Sequence, residues 1–174
     1  MDTQTGSTKK IAINYGLLLS LSTIALSCIV YALGLSAEQP WWQSALNFVF
    51  MIAFTVLGIK QYKQDNQGFL SLGEALKNGL AIALVAGIIG SIFTYIFVTY
   101  IEPDFVQQLL EVTEEKMIDS NPNMSDEQIE MALTMTEKMM SPTIMTAIGI
   151  IASLFFGFIV SLIAGLVMKQ NRPV

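Results

Sequence analysis

Four stretches of this chain carry no charge, and each is bounded by segments that do. The first is Ile11–Ala37, whose core "IAINYGLLLSLSTIALSCIVYALGL" is about 25 residues long. The others are Trp41–Ile59, Asn78–Ile101 and Pro142–Met168. About 20 apolar residues in a helix cross the hydrocarbon of a bilayer. Inside lipid only helices and closed barrels satisfy every backbone donor and acceptor. The pattern therefore predicts an all-α integral membrane protein in one domain, 1–174. Its four transmembrane helices lie at about 11–35, 41–59, 78–101 and 143–168. A loop at 60–77 joins the second span to the third, and an extramembrane helical hairpin at 102–141 joins the third to the fourth.

The hairpin follows from local chemistry. Forty residues without structure would be unusual in a compact chain, so two helices are expected across 102–141. "EPDF" opens the first, with Glu102 as a cap, Pro103 at the first helical position and Asp104 in the first turn, where the helix dipole favours an acid. Phe105, Val106, Leu109, Leu110 and Val112 form its apolar face. "SNPN" at 120–123 breaks it. Ser125 and Gln128 then make a capping box for the second helix, with Ile129, Ala132, Leu133 and Thr136 on its inner face.

Small residues recur every fourth position in two of the spans. Gly79, Ala83, Gly87 and Ser91 mark the third, and Gly149, Ser153, Gly157, Ser161 and Gly165 the fourth. Lipid supplies no hydrophobic drive for helix association, so close backbone approach at small residues must supply it. These nine positions are the expected packing seams. "INYGLLLSL" (13–21) and "LKNGLAIAL" (76–84) echo each other faintly, as the starts of two parallel spans in a two-plus-two duplication would.

Charge fixes the expected direction. Lys9, Lys10, Lys60, Lys63, Lys77, Lys169 and Arg172 flank the spans on one side, and only Lys116 and Lys138 lie on the other. By the positive-inside rule both termini are cytoplasmic. Trp41, Trp42 and Tyr100 fall where interfacial rings anchor the outer face. The first run is too long for a signal-peptide core. "ALSC", ending at Cys28, has the look of a lipoprotein cleavage site, but the apolar run continues past it. Overall, 53% of residues are hydrophobic and 13% charged, against roughly 25% charged in soluble domains. A net charge of −5 excludes a nucleic-acid footprint.

Candidate chemistry is sparse. The chain has no histidine, which removes the commonest general base and metal ligand, and its single cysteine allows neither an intrachain disulfide nor a zinc cluster. No P-loop, nucleophile elbow or zinc motif is present, so no catalytic or cofactor-binding residue is expected. Seven of the ten methionines lie between 117 and 145. Met131, Met135 and Met139 repeat along one helical face, which admits a thioether site for Cu(I). The preferred reading is a pliable apolar face for a partner. In the 60–77 loop, Glu74 and Lys77 are spaced as a surface ion pair.

"GFLSLGEALKNGLAIALVAGIIGSIFTYIFVTYIEPDF", an acidic segment with "MSDEQIE", and a closing span ending "LVMKQ" together resemble the domain-of-unknown-function family 4199. That family comprises small bacterial four-span membrane proteins, mostly from the Bacteroidota. Its step after the third span often has Asp where this chain has Glu102. The resemblance implies a bacterial inner membrane and a periplasmic acidic segment, and brings no ligand or catalytic residue.

Three functions are weighed. The first is a non-catalytic accessory or scaffold module whose outer acidic helices dock a protein partner or a second copy. The second is a small transporter or channel for a neutral solute, with Asn14, Asn47, Thr55, Asn78 and Thr94 as its polar lining. The spans lack the ionisable residues that mark ion and proton routes. The third is an enzyme, or an accessory of one, acting on lipid-linked substrates. Glu102 and Asp104 stand two apart and do not face each other on a helix, which disfavours it.

Overall fold

In the computed structural model, residues 7–121 and 123–172 are described. Asp2, in the charged segment ahead of the first uncharged run, and Pro122, in the "SNPN" break, lie outside the described residues. Among the described residues six α-helices follow in order: α1 Thr8–Ala32, α2 Trp41–Asp65, α3 Leu72–Ile96, α4 Phe105–Ser120, α5 Asp126–Met139 and α6 Pro142–Met168. A π-helical turn, Phe97–Ile101, extends α3. Helices α1, α2, α3 with its π turn, and α6 are each long and apolar enough to cross a membrane. The chain is a multi-pass membrane protein of all-α class.

Two helix extents depart from the sequence reading. Helix α2 runs on to Asp65 and α3 already begins at Leu72, so the expected loop at 60–77 shrinks to residues 66–71. Lys60, Gln61, Lys63 and Gln64 are good helix formers and hold the helical geometry beyond the apolar run. Gly68, at φ +86°, makes the reversal that a side chain would strain. Ser71 caps α3 in a full box with Glu74, and Ser125 caps α5 in the same way with Gln128.

Helix α3 lies between α1 and α6, and α2 touches both of those to close a four-helix bundle. One end of the bundle holds the start of α1, the 66–71 loop and the end of α6, and the other end carries the α4–α5 hairpin. We call these the terminal end and the hairpin end. Packing is uneven between them. The buried residues of α2 are Thr55, Gly58, Ile59 and Tyr62, and those of α6 run from Gly157 to Gly165. Both sets lie in the half of the helix nearest the terminal end. There Ile11, Leu19, Ile59, Tyr62, Leu70, Ala75, Ile82 and Ala164 share one core. A smaller cluster, Val98, Phe105 and Leu109, roots the hairpin.

The two small-residue seams face each other. Cβ atoms placed on Gly79 and Gly157 would clash with Ser161 and Ala83 respectively. One on Gly87 would lie 3.1 Å from Ser153 Cβ, one on Gly149 3.5 Å from Ser91 Oγ, and one on Gly165 2.8 Å from Ala75 Cβ. Each step of four along α3 thus meets a step of four back along α6, in a single antiparallel register. Two hydroxyls tie the seam. Ser91 donates to Thr146 O at 3.0 Å, and Ser153 donates to Ala83 O at 2.8 Å. A repeat longer than 3.6 residues imposes a right-handed winding on the pair.

Candidate functional site

The terminal end is closed by a polar strap. Glu74 turns back over the first turn of α3 rather than toward Lys77. Its Oε2 accepts from Ser71 N at 2.7 Å and Ser71 Oγ at 2.8 Å. Its Oε1 accepts from Tyr62 OH at 3.1 Å and Asn66 Nδ2 at 3.4 Å. The expected Glu74–Lys77 pair is therefore replaced by a capping role, because the unpaired amides at a helix start outbid a surface cation for the carboxylate. Asn66, buried, accepts from Arg172 Nη2 at 2.9 Å, and the Arg172 guanidinium lies 5.7 Å from the Phe69 ring centre. Leu70 and Gln170 exchange two backbone hydrogen bonds of 2.9 and 2.8 Å. Lys63 Nζ donates to Met168 O at 2.9 Å. Sequence reasoning did not find Tyr62, Asn66, Ser71 or Arg172. The S-x-x-E spacing of residues 71–74 is the signal that finds Ser71; Tyr62 and Asn66 lie 12 and 8 positions from Glu74 across a turn, Arg172 lies 106 from Asn66, and none of the three carries a motif.

At the hairpin end the exit from α3 differs from expectation. Asp104 is the residue before α4, with no side-chain cap, and Phe105 is the first helical residue. Glu102 and Pro103 precede the helix. Glu102 N instead donates to Phe97 O at 2.8 Å and closes the π turn. The wider turn places Phe97 edge-on to Tyr31 of α1 at 5.6 Å and to Phe105 of α4 at 5.9 Å. Phe97 is thus the joint between bundle and hairpin. Residues 92–101, "IFTYIFVTYI", are apolar nearly all round, so the extra residue of the wide turn shifts no visible stripe and the sequence could not show it.

Along the hairpin, Leu110, Ile118, Ile129 and Leu133 line the groove between α4 and α5. Met131, Met135 and Met139 lie on the far side of α5 and are 62%, 63% and 52% exposed. They share one face as spaced, and that face is open. No group of three or more His, Cys, Asp or Glu side chains is placed to hold a metal ion among the described residues.

The polar residues read as a neutral path do not share one. Asn14 is exposed on α1, while Thr55 and Asn78 are fully buried in the terminal half. Asn47 and Thr94 alone meet, on a cavity of about 540 Å³ in the hairpin half, between all four spans. A second cavity, of about 300 Å³, lies nearer the hairpin. Ser27, Ser44, Asn47, Phe93 and Thr94 line both. Gly90, on the wall of the larger one, has no atom within 4 Å of where its Cβ would be. The cavity was not legible in sequence, because missing volume has no residue to announce it.

A profile of the family described as a protein of unknown function (DUF4199) matches residues 14–170. No curated protein and no solved structure matches the chain.

Proposed function

The chain belongs to the DUF4199 family of proteins of unknown function, which hands down no activity, and we propose that it is a non-catalytic accessory or scaffold module. In this reading it sits in the inner membrane of a bacterial cell with both termini in the cytoplasm. The hairpin α4–α5 then stands in the periplasm and docks a protein partner. One observation carries the reading: α5 buries none of its residues and turns Met131, Met135 and Met139 outward. Thioether side chains on a water-facing helix leave apolar area uncovered, at about 25 cal/mol per Å². They also adapt to irregular partner surfaces. The acids beside them, among them Glu127 and Glu130, keep such a face soluble and select a basic or neutral partner.

The test is affinity capture of the full chain from mild detergent, with a Met131→Ser, Met135→Ser, Met139→Ser triple variant beside it. The variant is expected to fold and to lose specific partners. Retention of the same partners by the variant, or by a chain lacking 103–140, contradicts the docking role. Transport of a neutral solute is the second reading, favoured by the hairpin-half cavity. It requires the terminal half to open, since Thr55, Ile82 and Ser161 are fully buried there. Solute flux into liposomes above the empty-vesicle leak would support it.

A further inference from the structure

A groove of about 700 Å³ runs between α1 and α2 at the terminal end. Its charged residues are Lys10 on the α1 wall and Asp65 on the α2 wall. Both are exposed, and no ion pair joins them among the described residues. Gln61 Nε2 donates to Asp65 Oδ1 at 2.7 Å and holds that carboxylate beside the groove. A cation and an anion set apart on facing walls are complementary to a zwitterion, not to a simple ion of either sign.

The order of polarity along the groove selects the zwitterion. Tyr15 packs on Gly58, where an added Cβ would lie 3.3 Å from the ring, so these two residues mark one level on α1 and α2. At about 1.5 Å per residue, Lys10 stands about 7.5 Å outward of that level and Asp65 about 10.5 Å. Asn14, exposed on the groove wall, stands just outward of it. Leu17 and Leu18, also exposed, lie inward of it. The uncharged runs begin at Ile11 in α1 and end at Ile59 in α2, so the leucines lie among hydrocarbon and the two charges beyond it. From inside outward the groove thus presents apolar surface, an amide donor, a cation and an anion. A phospholipid presents the matching order of acyl chain, ester carbonyl, phosphate and, outermost, ammonium. A primary ammonium suits Asp65 better than a quaternary one, because only the former has N–H groups to donate. A water-soluble zwitterion would use the charges and not the leucines.

We propose that this groove holds one phospholipid with a primary ammonium head, of the phosphatidylethanolamine type. Lys10 Nζ donates to its phosphate, Asp65 accepts from its ammonium, Asn14 Nδ2 donates to an ester carbonyl, and one acyl chain lies against Leu17 and Leu18. The test is native mass spectrometry of the full chain, titrated in mild detergent with dioleoyl phosphatidylethanolamine, phosphatidylglycerol or phosphatidylcholine, which share their tails. The ethanolamine lipid should bind about fivefold more tightly than either other, the factor that one ion pair of about 1 kcal/mol gives. Asp65→Asn should remove that preference, weakening the ethanolamine lipid about fivefold and the glycerol lipid not at all. Lys10→Gln should weaken both about fivefold, since both carry the phosphate. Lys9→Gln removes the same charge from outside the groove and should weaken neither. All three residues are exposed, so the variants should keep the parent's unfolding temperature. Equal binding of the three lipids, a preference for the glycerol lipid, displacement by free phosphoethanolamine, or a preference that Asp65→Asn leaves intact overturns the proposal and leaves the groove to bulk lipid.

Discussion

The two halves of this bundle are made from the same four helices and are packed in opposite ways. At the terminal end, Ile59, Leu70, Ala75 and Ile82 are wholly buried, and side chains from α2, the 66–71 loop and the C-terminal segment hydrogen-bond across the gap. At the hairpin end α2 and α6 bury nothing of their own, and a cavity opens between all four spans. The looser hairpin half is the more apolar of the two, since Lys9, Lys10, Lys60, Lys63, Asp65, Glu74 and Lys77 all lie in the terminal half, so hydrophobicity does not make the difference. Side-chain size and polar ties do. Glycine and serine at the seam bring backbones together where each is met by a partner across the interface, as Gly79 is by Ser161. Gly90, with nothing opposite it, leaves a void instead.

The contrast breaks most easily at the seam. Gly157→Leu drives a side chain into Ala83 and is expected to cost about 3 kcal/mol or more, a fall of roughly 6–12 °C in the detergent unfolding midpoint. Next is the strap. Glu74→Ala removes the acceptor of four hydrogen bonds and the return half of a capping box, for an expected loss of about 2 kcal/mol by the same thermal assay. Arg172→Ala releases Asn66 and the Phe69 ring, at about 1 kcal/mol. Its sharper readout is hydrogen exchange. Leu70 N–H, bonded to Gln170 O, should lose protection while the α3–α6 seam keeps it. The smallest effect belongs to the hairpin. Met135→Ser is expected to change stability by less than about 0.5 kcal/mol, because an exposed face carries little of the fold. A large loss there would mean that α5 supports the bundle.

What could be read in the sequence follows the same division. The four spans were legible because a charge-free run of this length has few other homes. The small residues of α3 and α6 were legible as seams, since a spacing of four is a local pattern. That each seam is the other's partner was not, because spacing names a face and never its mate. The capping box at Ser125 was visible from two residues three apart, whereas the tie from Asn66 to Arg172 spans 106 positions. The acid at Glu74 was seen and given the wrong partner. Its true neighbours are set by how α2 ends and α3 begins, which depends on polar residues continuing a helix past the apolar run. Of the five polar residues grouped as one path, Asn47 and Thr94 met and three did not. The alternation of polar and apolar letters records which face is inside, not how much room is left there.

One substitution made twice on the same helix tests the uneven packing most directly. Gly79 and Gly90 both lie in α3, and leucine at each adds the same atoms to the same backbone. Thermal unfolding in one detergent should show Gly79→Leu far less stable, by about 3 kcal/mol or more, and Gly90→Leu within about 1 kcal/mol of the parent. Equal losses at the two positions would contradict it, for they would mean that the hairpin half is as closely filled as the terminal half.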